Sequence, residues 1–316
     1  MLRALPLRIV TYNVRYFSHA TRGIASTSAN VARIAHALAS LSPLPDIICL
    51  QEVETMSLRS RLSHSKLRPG QTQIERLMQF FRAALRMRSA KDGYTAHYFP
   101  AHTYKLTQST SAYTTGLAII TAPGIEVDTH NAGEPRDITH RRETVVRHLK
   151  QTRICAHVRF THPDTGSVDL FNTHLSLPSA FAKEFWFKEQ RMGFGKNQLK
   201  EVENLLEFVE TAKTSDRVII VGDFNALPGS PVYQRVRGAL GLRDPYAERT
   251  SLSVDELAQV PTAGFMALRF RLDHLFSGAG LRWENFDGTR PFGDTWSTFN
   301  GLSDHVPVIG SCVASS

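Results

Sequence analysis

Six apolar runs in the 316-residue chain end in, or open on, a side chain able to do chemistry. RIVTYN ends at Asn13, IICLQE at Glu52, LFNTH at His174, and IIVGDFN at Asp223 and Asn225. RLDHLF carries Asp273 near its start, and LSDHVPV presents Asp304 and His305 just before an apolar stretch. Any one of these has an ordinary structural explanation, such as a turn, a strand-end charge or a hydrogen-bonded core histidine. As a set they ask for more, because a carboxylate set into a strongly apolar strand is costly to bury unless it is paired, hydrogen-bonded or metal-bound. Strand ends that meet on one rim would make an oxygen-rich pocket with two imidazoles. Carboxylates and an amide suit a hard cation such as Mg2+ or Mn2+, whereas zinc would ask for more His or Cys. The reaction such a pocket suits is phosphate-ester hydrolysis. A metal and hydrogen-bonding side chains stabilise charge on the phosphoryl oxygens, and a carboxylate orients or deprotonates water. Asp223 is best placed for that last part: Gly222 lets the backbone turn closely, and Asn225, two residues on in an extended segment, is expected on the same face. His305, preceded by Asp304, suits a transition-state stabiliser, with Asp273 as the carboxylate that fixes its tautomer.

These side chains need strands to hold them. LRIVTYNV, DIICLQEV, LAIIT, ICAHVRF, VDLFNTHL, RVIIVGDF, RLDHLFS and VPVIGSCV are short, β-branched and read as strands. Helical spacing is clearest over Asn30 to Leu41, Ile74 to Arg88 and Lys183 to Thr211, the last broken at Gly193 and Gly195. The pattern predicts an α/β sandwich of two sheets with outer helices. No internal repeat or domain boundary is evident, so one domain over residues 1–316 is expected. Ser57 to Gln73 and Tyr104 to Tyr113 read as loops inserted near a site. Ser176 to Asn197 carries Phe181, Phe185, Trp186, Phe187 and Phe194 among basic residues. It reads either as an amphipathic helix packing its aromatics on the core or as a substrate-facing insert.

Composition sets the outer bounds. With 42% hydrophobic and 21% charged residues, disorder and coiled coil are excluded in favour of a soluble globular chain. A formal charge of +8 favours anionic partners, whether nucleic acid, phosphorylated metabolites or acidic headgroups, although solubility alone would also account for it. Cys49, Cys155 and Cys312 sit singly in apolar runs, which fits buried core residues in a reducing compartment. Arg3, Arg8 and Arg15 interrupt the N-terminal stretch, and no later run approaches about 18 apolar residues. Neither a signal peptide nor a transmembrane segment is expected, and the cytoplasm is the expected location.

The sequence resembles the endonuclease/exonuclease/phosphatase superfamily, which has the pancreatic-deoxyribonuclease-like fold. The pieces that carry the resemblance are TYNVR around Asn13, LQEVE around Glu52, NTHL around His174, GDFNALPGSPVY around Asp223 and Asn225, RLDH around Asp273, and SDHVPV around Asp304 and His305. They occur in the family's order along essentially the whole chain. The resemblance implies a four-layer α/β sandwich, two packed mixed β-sheets flanked by helices, with the active site at one end. It also implies roles: Glu52 as principal ligand of Mg2+ or Mn2+, Asn13 as a hydrogen-bonding residue beside the metal, and Asp304 as support for a metal. Asp223 would orient or activate the attacking water, Asn225 would bind phosphate, His174 and His305 would hydrogen-bond its oxygens, and Asp273 would pair with His305. Tyr113, and Arg141 and Arg142 in the RRET run, match segments where relatives place substrate contacts. One or two metals both remain open.

The resemblance leaves the substrate open, because one fold serves many esters. GDFN without a preceding Trp is unlike the inositol polyphosphate phosphatases, and tyrosyl-DNA phosphodiesterases read GDTN. NTHL stands where abasic-site endonucleases carry Y-x-P-N. What remains resembles the NTHL-bearing branch of digestive nucleases, deadenylase-like nucleases and sphingomyelinases. Basic charge and the aromatics near Trp186 favour nucleic acid as the partner, since bases stack on rings while Lys and Arg follow phosphates. A phospholipid at a membrane surface or a small phosphate ester would be served by the same features. A non-catalytic module holding nucleic acid or protein is the remaining class, and the presence of Glu52, Asp223, Asn225, Asp304 and His305 together argues against it.

Overall fold

The computed structural model describes residues 5–15, 27–57, 72–107, 110–140, 152–177, 192–265 and 267–315. The fold is built around β1 (Leu7–Asn13), all seven of whose residues are buried. A strand buried on both faces needs a cover on each, and alternation divides its side chains between two. Leu7 and Ile9 join the core between the sheets, while Val10 and Tyr12 pack under α1 (Thr27–Ser40) and α2 (Gln73–Met87). β1 pairs in parallel with β2 (Ile47–Ser57) and antiparallel with β14 (Val308–Ala314), with Leu7 opposite Cys312 and Thr11 opposite Val308. The first sheet has the order β13 (Leu281–Asn285), β14, β1, β2, β4 (Thr110–Thr121), β3 (Thr95–Thr107).

The second sheet runs β12 (Asp273–Ser277), β9 (Val218–Asp223), β8 (Gly166–His174), β7 (Ile154–His162), β5 (Glu126–His130), with β6 (Arg136–Asp137) also on β7. β8 and β9 are its parallel pair. Their inner side chains pack on the first sheet, and α3 (Lys196–Ala212) covers the outer face with Val202, Leu205 and Val209. Helix, sheet, sheet and helix make the four layers, and both sheets are mixed. The three cysteines are buried and form no disulfide. Among the described residues no helix is long and apolar enough to cross a membrane.

Local chemistry explains the element ends. α2 begins in a capping box between Thr72 and Glu75 and buries Ile74, Leu77, Met78, Phe81 and Leu85 at helical spacing. α3 starts just after Gly195, while Gly193, at φ +94°, occupies a conformation suited to glycine. The break expected at the two glycines is thus where the helix begins, and residues 178–191 lie outside the described residues. α4 (Pro231–Arg237), α5 (Pro245–Thr250) and α6 (Val254–Ala258) are capped by Ser230, Asp244 and Ser253. The loop expected over Tyr104 to Tyr113 is instead a hairpin, with Tyr104 opposite Tyr113 across β3 and β4. Its threonines and tyrosines are polar enough to read as a loop, yet they are strong strand formers. A short hairpin of β10 (Ala263–Phe265) and β11 (Leu268–Phe270) stands apart from both sheets.

Candidate active site

The two parallel pairs bring the polar strand ends to one rim. Asn13 ends β1 beside Gln51 of β2, and His174 ends β8 beside Asp223 of β9. β12 runs the other way, so its first residue, Asp273, lies opposite Asp223. Asn13 Nδ2 donates to Asp223 Oδ2 at 2.9 Å and to Glu52 Oε1 at 3.2 Å, which joins the two sheets at the rim. His174 Nε2 lies 3.5 Å from Asp223 Oδ2 and 3.8 Å from Glu52 Oε1, and His305 Nε2 lies 3.7 Å from the same Asp223 oxygen.

Glu52 reaches this rim through a backbone irregularity. Simple alternation turns Gln51 toward the second sheet, where its Nε2 donates to Thr11 Oγ1 at 3.0 Å and to Asn172 Oδ1 at 2.7 Å. The same alternation would send Glu52 to the other face. However, Leu50 pairs with Ala118 and Val53 with Gly116, so two residues of β2 face one of β4 in a bulge, and Glu52 sits at φ +55°. The bulge re-aims the carboxylate toward Asn13. Asn172, on the inner face of β8, braces this point by donating to Leu50 O at 3.1 Å and Ala118 O at 3.3 Å.

Gly222 holds Asp223 close to β8: its φ is +146°, and a Cβ there would overlap the Thr173 carbonyl. Asn225 differs from its expected extended conformation. It lies at φ +48°, its N–H donates to Asp223 Oδ1 at 2.9 Å, and its Nδ2 donates to Leu175 O at 2.9 Å. The physical reason is a local side-chain to backbone turn that outcompetes strand continuation. His305 Nδ1 lies 2.8 Å from Asp273 Oδ2, and Thr262 Oγ1 donates to that oxygen at 2.6 Å while accepting N–H bonds from Leu272 and Asp273. Asp304 stands at the rim, with Oδ2 3.0 Å from Arg15 Nη1. Ser303 Oγ lies 2.9 Å from Asn13 O and 3.3 Å from Asp304 Oδ1.

Burial sets the electrostatics. It raises the Glu52 carboxyl above its ordinary range, opposed by the Asn13 hydrogen bond and reinforced by Asp304. It pushes Asp223 up to about 7, with His305 opposing and Asp273 adding. For His305, burial favours the neutral ring, but Asp273 and Asp223 outweigh it and carry the pKa up to about 10. His174 is held well below its ordinary value by burial, then by the charges of Arg153 and His305. At neutral pH the site therefore pairs one imidazolium with one neutral imidazole.

Two groupings offer donors to a cation. Ligand atoms of Asp223, Asp273 and His305 lie within 4.8 Å of one another. That cluster already carries its own cation, since His305 is charged and hydrogen-bonded to Asp273. Glu52 accepts from a neutral amide and faces the neutral His174 at 3.8 Å, and although the charges of His305 and Arg153 oppose the rise, its carboxyl stays above the ordinary range, so a cation there would offset its charge. The Glu52 carboxylate, with Asp304 nearby at the same rim, offers oxygen donors of the kind a hard divalent ion takes.

Of the remaining expected residues, Tyr113 lies in β4 with its side chain outside the described residues, and Arg141 and Arg142 are outside them altogether. Residues not anticipated are Arg153, which lines a small cleft with Thr152, Thr115 and His174, and the supporting Thr262, Ser303, Gln51 and Asn172. Gln51 and Asn172 stand inside the LQE and NTH runs, where the carboxylate of Glu52 and the imidazole of His174 are the more conspicuous chemical groups.

The family model of the Endonuclease/Exonuclease/phosphatase family matches residues 10–305. A search among curated proteins found no match in sequence. Among solved structures, the human Nocturnin catalytic domain with bound sulfate is similar at TM-score 0.58 and 18% identity, over 98% of this chain and 94% of that one. An endonuclease/exonuclease/phosphatase from Beutenbergia cavernae gives 0.61 and 18%, over 99% and 72%. ANGEL2, a 2′,3′-cyclic phosphatase in complex with adenosine-2′,3′-vanadate, gives 0.59 and 14%, over 98% and 96%. At these identities the likeness is one of fold.

Proposed function

Because the chain belongs to the endonuclease/exonuclease/phosphatase family, we propose that it is a divalent-metal-dependent phosphoesterase, and more narrowly a phosphodiesterase that hydrolyses nucleic acid. The observation that carries this reading is the position of Asp223, a buried carboxylate oriented by Asn13 and by the Asn225 N–H, with two imidazoles within 3.7 Å. Asp223 Oδ2 orients a water for in-line attack on phosphorus and takes its proton, and the leaving oxygen departs on the opposite side. His305, its Nδ1 held by Asp273, presents a protonated Nε2 to a phosphoryl oxygen. His174 adds a neutral ring, and the second Nδ2 proton of Asn225 is free to reach the phosphate once the first is given to Leu175 O. Arg153, which lines a small cleft with His174, is the arginine we assign to the phosphate. A bound Mg2+ or Mn2+, held by Glu52 with Asn13 and Asp304 nearby, would supply positive charge to the phosphoryl oxygens.

Nucleic acid is the favoured substrate because the chain carries a net +8, and because ANGEL2, similar in fold, is described as a phosphatase bound to an adenosine-2′,3′-vanadate. We take residues 1–316 as one catalytic domain, and place it in the cytoplasm on the strength of its three buried free cysteines. The test is cleavage of supercoiled plasmid, single-stranded DNA and RNA with Mg2+ or Mn2+, using His305→Ala and a chelator as blanks. Cleavage by wild type alone supports the reading. Cleavage of no polymer removes the nuclease and moves the assay to sphingomyelin headgroup release and small phosphate esters. If Mg2+ raises the melting temperature of Glu52→Gln as much as that of wild type, Glu52 is not the ligand.

A further inference from the structure

Beside the site lies a face that the chemistry above does not use. Ala263 pairs with His305 in an antiparallel bridge, and Gly264 N donates to Asp304 O at 2.8 Å. Gly264 is therefore opposite Asp304, and it is also opposite Arg269 across the β10–β11 hairpin. Directly opposite residues in an antiparallel pair project to the same side, so Asp304, Gly264 and Arg269 form a row at about 5 Å per step. At Gly264 the missing side chain is replaced by the ring of Phe292, which a Cβ would overlap. The Arg269 guanidinium lies 5.0 Å from the centre of that ring. The cation–aromatic pair thus spans about 5 to 10 Å from Asp304 along the row.

The loop that supplies Phe292 supplies a second ring. Phe292 N donates to Pro261 O at 2.7 Å, which ties the loop to the hairpin. Four residues on, Trp296 is 90% exposed on a turn in which Asp294 Oδ1 accepts its N–H at 2.9 Å. Leu268 at the hairpin tip and Arg290 in the loop are also exposed. A flat, solvated indole in the same loop as a ring faced by a guanidinium matches the face of a nucleobase, and the arginines match its phosphates. A lipid surface would call for a broader apolar patch than Trp296 and Leu268 provide.

We propose that Phe292, Arg269 and Trp296 form a nucleobase-stacking platform for a single strand whose phosphate occupies the site. The inference rests on the phosphodiesterase reading and narrows it to a polynucleotide, because at about 3.4 Å per stacked nucleotide the platform lies two or three nucleotides from the reacting phosphate.

The test reads binding alone, without divalent metal, by fluorescence anisotropy of a labelled single-stranded DNA ten-mer and of an abasic ten-mer of equal charge. Wild type binds the base-bearing strand roughly tenfold more tightly than the abasic one, and Trp296→Ala removes most of that difference. Arg269→Ala combined with Phe292→Leu does the same. Melting temperatures verify folding, and if the double variant does not fold, Trp296→Ala at its exposed position decides. Equal affinity for the two strands, or an unchanged affinity in Trp296→Ala, overturns the platform. So does a wild type that binds vesicles of phosphatidylserine and phosphatidylcholine through Trp296 but does not bind the ten-mer. Base-dependent binding in a protein that hydrolyses no ester supports the platform and removes the hydrolase reading instead.

Discussion

Replacing Asn172 with Leu removes one side chain that serves two carbonyls and one amide. Leu keeps the branch point and the number of side-chain heavy atoms, so the change is chiefly one of hydrogen bonding. Gln51 Nε2 retains Thr11 Oγ1 at 3.0 Å, but Leu50 O and Ala118 O lose the Asn172 amide in a fully buried position. At about 1–3 kcal/mol for each of the two buried groups left unsatisfied, the loss is about 2–6 kcal/mol. Unfolding entropy of about 2.1 cal/mol/K per residue makes 3 kcal/mol equal to roughly 5 °C for a chain of this size. Because the same amide braces the bulge that aims Glu52, the Mg2+-induced rise in melting temperature is expected to shrink as well. The assay is thermal melting with and without millimolar Mg2+, comparing Asn172→Leu with wild type. A midpoint within about 1 °C of wild type would show that other groups serve the two carbonyls. A lowered midpoint with an undiminished Mg2+ response would break the link between the brace and Glu52.

Asp273→Asn removes the charge 2.8 Å from His305, a loss of about 6 kcal/mol at an effective dielectric of 20. His305, raised to about 10 in wild type, then releases its proton at a pH several units lower; proton NMR titration of the metal-free variant measures this, and an unmoved ring resonance would contradict it. Asp169, bonded by His157, Arg159 and Thr214, is lowered to about 2 despite its burial. Its stabilisation is therefore present above the ordinary carboxylate range and disappears as pH falls through about 2, so the gap in melting temperature between wild type and Asp169→Asn closes in acid. Gly222→Ala forces a Cβ into the Thr173 carbonyl at a backbone angle that disfavours alanine, and should lower the midpoint by more than Asn172→Leu does.

The residues of the rim were readable because charge at the end of an apolar run is rare without a reason, and α1 and α2 because their buried positions keep helical spacing. Three features were hidden for physical causes. Glu52 looks out of phase in LQE, since only the bulge turns it to the side Gln51 faces. Asn225 looks extended in GDFN, since the turn that folds it back depends on the Asp223 carboxylate. Thr262 and Ser303 carry no local signal, because their hydroxyls act on distant chain: Ser303 reaches the Asn13 carbonyl across 290 positions.

The pairing of β1 with β14 also dictates when the sheet can close. Leu7 meets Cys312, so a central strand waits for a partner made about 300 residues further along the chain. Until then β1 has β2 on one flank and an open ladder on the other, an edge of apolar residues that invites pairing with other chains. His305 and Asp304 arrive with that last strand, so sealing the edge and completing the rim are one event. A nascent chain is thus most prone to aggregate over the same interval in which its rim is incomplete, and chaperone capture of β1 would protect it without delaying assembly of the rim.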